Sequence, residues 1–139
     1  MMRSLVFGPT NSVSGFFPQI GLLVLRLGTG LGMALAHGLG KVPPPDRLVE
    51  AVTGMGFPLP VIFAWAAGLT ELFGGLFIAI GLATRLSSAL MAITMGVAFF
   101  VAHAADPFQN KELSFMYLFC SLAIFLLGPG KWSIDSRIK

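Results

Sequence analysis

Residues 59–82 read Leu-Pro-Val-Ile-Phe-Ala-Trp-Ala-Ala-Gly-Leu-Thr-Glu-Leu-Phe-Gly-Gly-Leu-Phe-Ile-Ala-Ile-Gly-Leu. One ionisable residue, Glu71, stands amid a mostly apolar run that exceeds the ~20 residues a helix needs to cross the hydrocarbon core of a bilayer. A helix on a soluble protein keeps a polar face for water. This one is apolar all round, so its surroundings are lipid and other apolar helices.

The same signal recurs on either side, over Ile20–Leu39, Leu86–Ala105 and Leu113–Leu127, the last beginning at Glu112. The separators carry the chemistry of chain breaks. Pro43, Pro44 and Pro45 after Lys41 cannot continue a helix. Gly81 with Thr84 and Arg85 fits a tight helical hairpin, Thr84 being the expected N-cap. Asp106-Pro107 and Gln109-Asn110-Lys111 make the third connection, and Gly128-Pro129-Gly130 closes the fourth helix. Composition agrees: 55% of the 139 residues are hydrophobic, 11% are charged and mean hydropathy is +0.85. A soluble fold, with about 25% charged residues, has more than twice that polar cover.

The expected fold is therefore all-α. It is a four-helix transmembrane bundle, up-down-up-down, in one membrane domain spanning residues 1–139, with helices at about 20–39, 59–82, 86–105 and 112–127. In the first loop Leu48, Val49, Val52 and Met55 recur at helical spacing, which predicts a short interfacial helix over Asp46–Gly54. Gly28/Gly32, Ala64/Gly68 and Ser88/Ala92/Gly96 are the expected small-residue contacts between helices. Residues 1–39 do not read as a cleaved signal peptide, because Arg3 is the only charge before the apolar run and Arg26 interrupts it. Five basic residues (Arg3, Arg85, Lys131, Arg137, Lys139) fall on one side and three (Lys41, Arg47, Lys111) on the other, which places both termini in the cytoplasm of a multi-pass inner-membrane protein.

The net charge of +3 is spread along the chain with no basic run, so nucleic acid is not an expected partner and membrane lipid is. The single cysteine, Cys120, allows neither an intrachain disulfide nor a redox pair and reads as an inert thiol. No phosphate loop, nucleophile elbow or zinc spacing is present.

The polar residues inside the spans carry what chemistry there is. A charge at the bilayer centre costs a few kcal/mol even on insertion scales, so Arg26 and Glu71 are expected to face inward as an intramembrane charge network. His37 lies three turns after Arg26 on the same stripe and leans toward Glu71, which places Glu71 between them. His103 ends the third helix at the depth of His37, with Asp106, Lys111 and Glu112 nearby. His37 and His103 are the weaker alternative as a metal or haem pair. No further ligand stands at fixed spacing, so no metal is expected and haem is disfavoured. Tyr117 and Trp65 are expected to donate hydrogen bonds into the bundle, and Trp132 to anchor at an interface.

Several short stretches together resemble the DoxX family of small membrane proteins. They are Leu25-Arg26-Leu27, Ala36-His37-Gly38 followed by Lys41, Gly56-Phe57-Pro58 before Pro60, Glu71-Leu72-Phe73-Gly74-Gly75, Gly81-Leu82-Ala83-Thr84-Arg85, His103, Glu112 with Tyr117, and Gly128-Pro129-Gly130-Lys131-Trp132-Ser133-Ile134-Asp135. The match runs from about Leu25 to Asp135; the triple proline departs from it. The resemblance implies a four-helix membrane fold and an oxidoreductase label. Similar proteins include a subunit of a thiosulfate:quinone oxidoreductase, proteins tied to quinone-like compounds and oxidative stress, and eukaryotic cargo receptors and receptor-assembly chaperones. Carried over by position, Arg26, His37, Lys41, Glu71, Arg85, His103 and Glu112 match the family's polar residues.

Two functions remain in view. The first is a quinone-interacting subunit of a membrane redox system, in which His37, His103 and Tyr117 are the candidate donors to the quinone, Glu71 or Glu112 handles protons, and a redox-enzyme partner subunit or a bound cofactor supplies electrons. The second is a non-enzymatic scaffold or chaperone for a redox or exported protein.

Overall fold

The structure is a computed structural model and describes residues 14–138. Arg3, Lys139 and the reading of the first residues as no signal peptide fall outside or largely outside that range. Among the described residues there are five helices and no strand: α1 (Phe16–Lys41), α2 (Asp46–Gly54), α3 (Pro60–Ile80), α4 (Thr84–Ala102) and α5 (Phe108–Leu127). All but α2 are long and apolar enough to cross a membrane.

The breaks follow from local chemistry. Pro45 precedes α2 with extended backbone, and Pro60 occupies the first turn of α3, where its missing N–H costs nothing. Gly81, at φ 74, ends α3 in the left-handed region where a side chain would be strained. Pro107 starts α5 at Phe108, so Gln109, Asn110 and Lys111 form the first helical turn rather than the expected loop. At the other extreme α1 begins at Phe16, four residues before the expected Ile20.

Each spanning helix packs on the two beside it in the ring α1–α3–α4–α5, leaving α1 and α4 on a diagonal. The central cluster of large buried hydrophobic side chains is small: Met33, Ile78, Met91, Met95 and Ile124. Large apolar side chains such as Val24, Leu35, Ile62, Phe73, Ile93 and Leu126 point outward. An apolar exterior around a thin, partly polar interior is what lipid solvent selects, since burying Leu against Leu gains little over burying it in acyl chains.

Close approach of α1 to α3 depends on Gly30, Gly38 and Gly75. A Cβ on Gly30 would collide with the Gly75 carbonyl and the Ala79 amide, and one on Gly38 with the backbone of Leu72. The expected Gly28/Gly32 contact is replaced by this neighbouring stripe: Gly28 is exposed with nothing near it, while Gly32 lies under the Tyr117 hydroxyl. Ala64 and Gly68 are buried, Gly68 against Lys41, and Ser88 and Ala92 are buried as well, but Gly96 faces open space.

One end of the ring is closed by the segment after α5. Ile134 and Asp135 donate backbone N–H bonds to the carbonyls of Ile80 and Gly81, which the end of α3 leaves without helical partners. The Asp135 carboxylate accepts from the Ala83 amide (2.7 Å), the Thr84 amide (2.9 Å) and the Thr84 hydroxyl (2.7 Å). Thus Asp135, from fifty residues down the chain, caps α4. Thr84 is instead the first helical residue and Ala83 precedes it in a left-handed conformation. Sequence-local capping rules cannot see a cap that arrives through tertiary structure.

Candidate functional site

Arg26 is 1% exposed and does not meet Glu71. Its guanidinium donates to the carbonyls of Ile78 (3.0 Å), Ala79 (3.1 Å), Trp132 (3.1 Å) and Pro129. Two of these acceptors are the last carbonyls of α3, where the helix dipole concentrates negative potential. The expected Arg26–Glu71 network is therefore two separate sites. The cause is the ten-residue overhang of α1 beyond the end of α3, roughly 15 Å at helical rise, which brings Arg26 level with that end rather than with its middle.

Glu71 is 2% exposed and pairs with Lys41, both carboxylate oxygens lying 2.7 Å from Nζ. Lys41 ends α1 one turn beyond His37, and Gly68, one turn before Glu71, lets the Lys41 backbone lie directly against α3. Lys41 was legible as a family position but not as the partner of Glu71. The signal was present: it is the only Lys or Arg at the end of the first span, in reach of a carboxylate that must be neutralised.

Beside this pair lies a cavity of about 160 Å³, half open at the end of the bundle away from Arg26. His37, Lys41, Glu71, His103 and Tyr117 line it, with Met33 and Met95 as its apolar floor and Asn110, Leu113 and Ser114 from α5 on one wall. The rings of His37 and Tyr117 meet edge to face at 6.0 Å. His103 Nδ1 is 2.7 Å from Asp106 Oδ2.

Of the residues expected at the site, His37, Glu71, His103 and Tyr117 share this cavity. Glu112 does not: it is exposed on the first turns of α5, because α5 starts at Phe108 and turns that position outward. Trp65 is 39% exposed on the outside of α3, so it does not donate into the bundle. Trp132 is exposed at the closed end, edge-on to Phe16 at 6.0 Å. Among the described residues no three or more His, Cys, Asp or Glu side chains gather as a metal site.

A feature invisible to apolar periodicity surrounds the cavity. The helices α1, α3 and α4 each widen into a π-helical turn, at Ala34–Gly38, Thr70–Gly74 and Ala98–Ala102. Each turn supplies one lining residue: His37, Glu71 and Ala98. The first two turns pack on each other through Gly38, and the third is closed by the His103 amide on the Ala98 carbonyl (3.0 Å). A π turn inserts one residue into the helical ladder and re-aims the side chains after it, and such turns concentrate at functional sites.

These features define a small multi-pass membrane protein, four spanning helices with a cavity of mixed polar and apolar lining at one end. The chain belongs to the DoxX family, whose model matches residues 21–104. It is similar to the protein named "Putative oxidoreductase CatD" of Bacillus subtilis, 31% identical over 84% of this chain and 86% of that one. It is also similar to an uncharacterised membrane protein of Mycobacterium tuberculosis, 29% identical over 85% of this chain and 81% of that one. An uncharacterised protein of Haemophilus influenzae is 26% identical over 76% and 81%. No solved structure matches the chain at a significant level.

Proposed function

We propose that this DoxX protein is a quinone-interacting subunit of a membrane redox system, and that the cavity beside Lys41 and Glu71 receives the quinone ring. The observation that carries this reading is the combination of size and lining. A dry cavity of about 150 Å³ admits a benzene ring, and this one, of about 160 Å³, adds polar groups at its wall. A quinone head is a six-membered ring bearing two oxygens, and its apolar substituents leave through the open side. His37, Tyr117 and the Lys41 ammonium supply the hydrogen bonds that orient such oxygens, while Met33 and Met95 pack the ring face. The quinone supplies the two-electron chemistry, and a partner subunit exchanges electrons with it.

The same reading places the protein in the inner membrane with the Arg26 end toward the cytoplasm. Arg85, Lys131 and Arg137 lie at that end, and the positive-inside bias follows them. The cavity then opens toward the outer face. The name of the Bacillus subtilis relative supports an oxidoreductase context.

The test is direct binding of duroquinone to detergent-purified wild type and His37→Ala, read by equilibrium dialysis. Binding that weakens about five- to tenfold in His37→Ala, the worth of one net hydrogen bond, supports the site. Equal binding in both proteins, or none in either, overturns it.

A further inference from the structure

The turn between α4 and α5 contains a two-residue device that the quinone reading does not use. His103 ends the third π turn, its amide bonded to Ala98, and the chain then reverses so that the Asp106 amide donates to the His103 carbonyl at 3.1 Å. Pro107 follows and starts α5. This local closure holds the Asp106 carboxylate 2.7 Å from His103 Nδ1. A carboxylate only accepts hydrogen bonds, so the proton of the neutral imidazole sits on Nδ1. Nε2 is then a lone-pair acceptor, and His103 lines the cavity.

We infer that Asp106 is a positioning residue that sets the His103 tautomer, so that the cavity offers an acceptor beside its donors and takes the hydroxyl-bearing, quinol form of its ligand in preference to the quinone. This rests on the quinoid reading of the cavity and goes beyond it by naming the redox form bound. A quinone carbonyl has no proton to give Nε2, so the two lone pairs face each other. A quinol hydroxyl donates to Nε2 and, if it transfers its proton, leaves a phenolate oxygen and an imidazolium whose charge Asp106 faces. No electron moves in that step. The cavity's other wall complements this arrangement: Lys41 and Glu71 already neutralise each other, so a neutral ring is not repelled. His103 therefore has the opposite role from the donor expected of it in the sequence.

The chain contains two histidines, which makes the tautomer directly observable. In ¹⁵N-histidine-labelled protein in detergent, wild type is expected to show one imidazole protonated at Nδ1, assigned to His103 by its loss in His103→Gln. In Asp106→Asn the amide can donate to Nδ1, and the proton is expected to move to Nε2. In Asp106→Glu the wild-type tautomer is expected to persist. A His103 signal from Nε2–H or from an imidazolium in wild type overturns the proposal. So does a wild-type tautomer in Asp106→Asn.

The second readout is anaerobic binding of durohydroquinone against duroquinone, a pair inert to the Cys120 thiol because its ring is fully substituted. Wild type is expected to favour the hydroquinone by roughly three- to tenfold, and Asp106→Asn to lose that preference. An unchanged ratio in the variant overturns the role of Asp106 while leaving the quinoid site standing. Absence of binding by either form overturns both.

Discussion

The two ends of the bundle hold a buried charge with different kinds of partner. At one end Arg26 spends its donors on four backbone carbonyls from two segments, and Asp135 accepts from three donors at the start of α4. At the other, Glu71 relies on one lysine side chain, itself 30% exposed, next to a half-open cavity. Backbone carbonyls cannot leave, whereas a lysine on a flexible stem can be displaced or shared with a ligand. The saturated end therefore reads as architecture and the economical end as a site.

Substitutions can break this contrast, and the largest effect belongs to the closed end. Arg26→Met is expected to strip four carbonyls of their donor and to lower stability by about 3 kcal/mol or more, seen as loss of folded yield or a large fall in Tm in detergent. Arg26→Lys should rescue little, because an ammonium lacks the planar fork that reaches carbonyls on both segments. If Arg26→Lys matches wild type, the closed end is held by charge alone and the contrast dissolves.

At the open end the two halves of the ion pair should respond unequally. Lys41→Met leaves a carboxylate 2% exposed without a counter-charge and is expected to cost about 3 kcal/mol. Glu71→Gln leaves a lysine that can reach solvent and should cost about 1 kcal/mol. Thermal unfolding of the two variants checks the order; equal losses would make this pair as structural as Arg26.

Asp135→Ala removes a tertiary helix cap and is expected to cost about 1–2 kcal/mol, with no change in ligand affinity. The smallest stability effect is expected for Gly32→Ala, whose new Cβ would fall 2.6 Å from the Tyr117 hydroxyl, the movable far end of a side chain. That variant should keep its unfolding free energy within about 1 kcal/mol of wild type yet shift duroquinone affinity, because Tyr117 lines the cavity. A silent Gly32→Ala in both assays would remove Tyr117 from the site.

Much of the fold was legible because length and apolarity are sufficient signals for a spanning helix. The four spans, the short helix over Asp46–Gly54 and the breaks at Gly81 and Gly128 all follow from side-chain chemistry within a few residues. The relative heights of the helices were not legible. Pairing Arg26 with Glu71 assumes that the ends of α1 and α3 are level, whereas the overhang of α1 sets Arg26 beside Ile78 and Ala79, well away from Glu71. Four of the five residues expected at the site meet in one cavity, since a polar residue inside an apolar run has few places to go. Glu112 was misplaced because its helix begins one turn early. The π turns left no trace, since apolar periodicity averages over the one-residue insertion that makes them.

The closed end also carries information about the order in which the protein is made. Arg26 enters the membrane with the first helix, but its acceptors at Pro129 and Trp132 lie 103 and 106 residues further along. Throughout synthesis of the intervening helices the guanidinium must be tolerated by water, lipid headgroups or the insertion machinery. A segment that emerges after all four spans completes its shell. The segment after α5 thus acts as a completion check: a chain that stops at Leu127 would have all four spans but lack two of the acceptors of Arg26 and the Asp135 cap of α4.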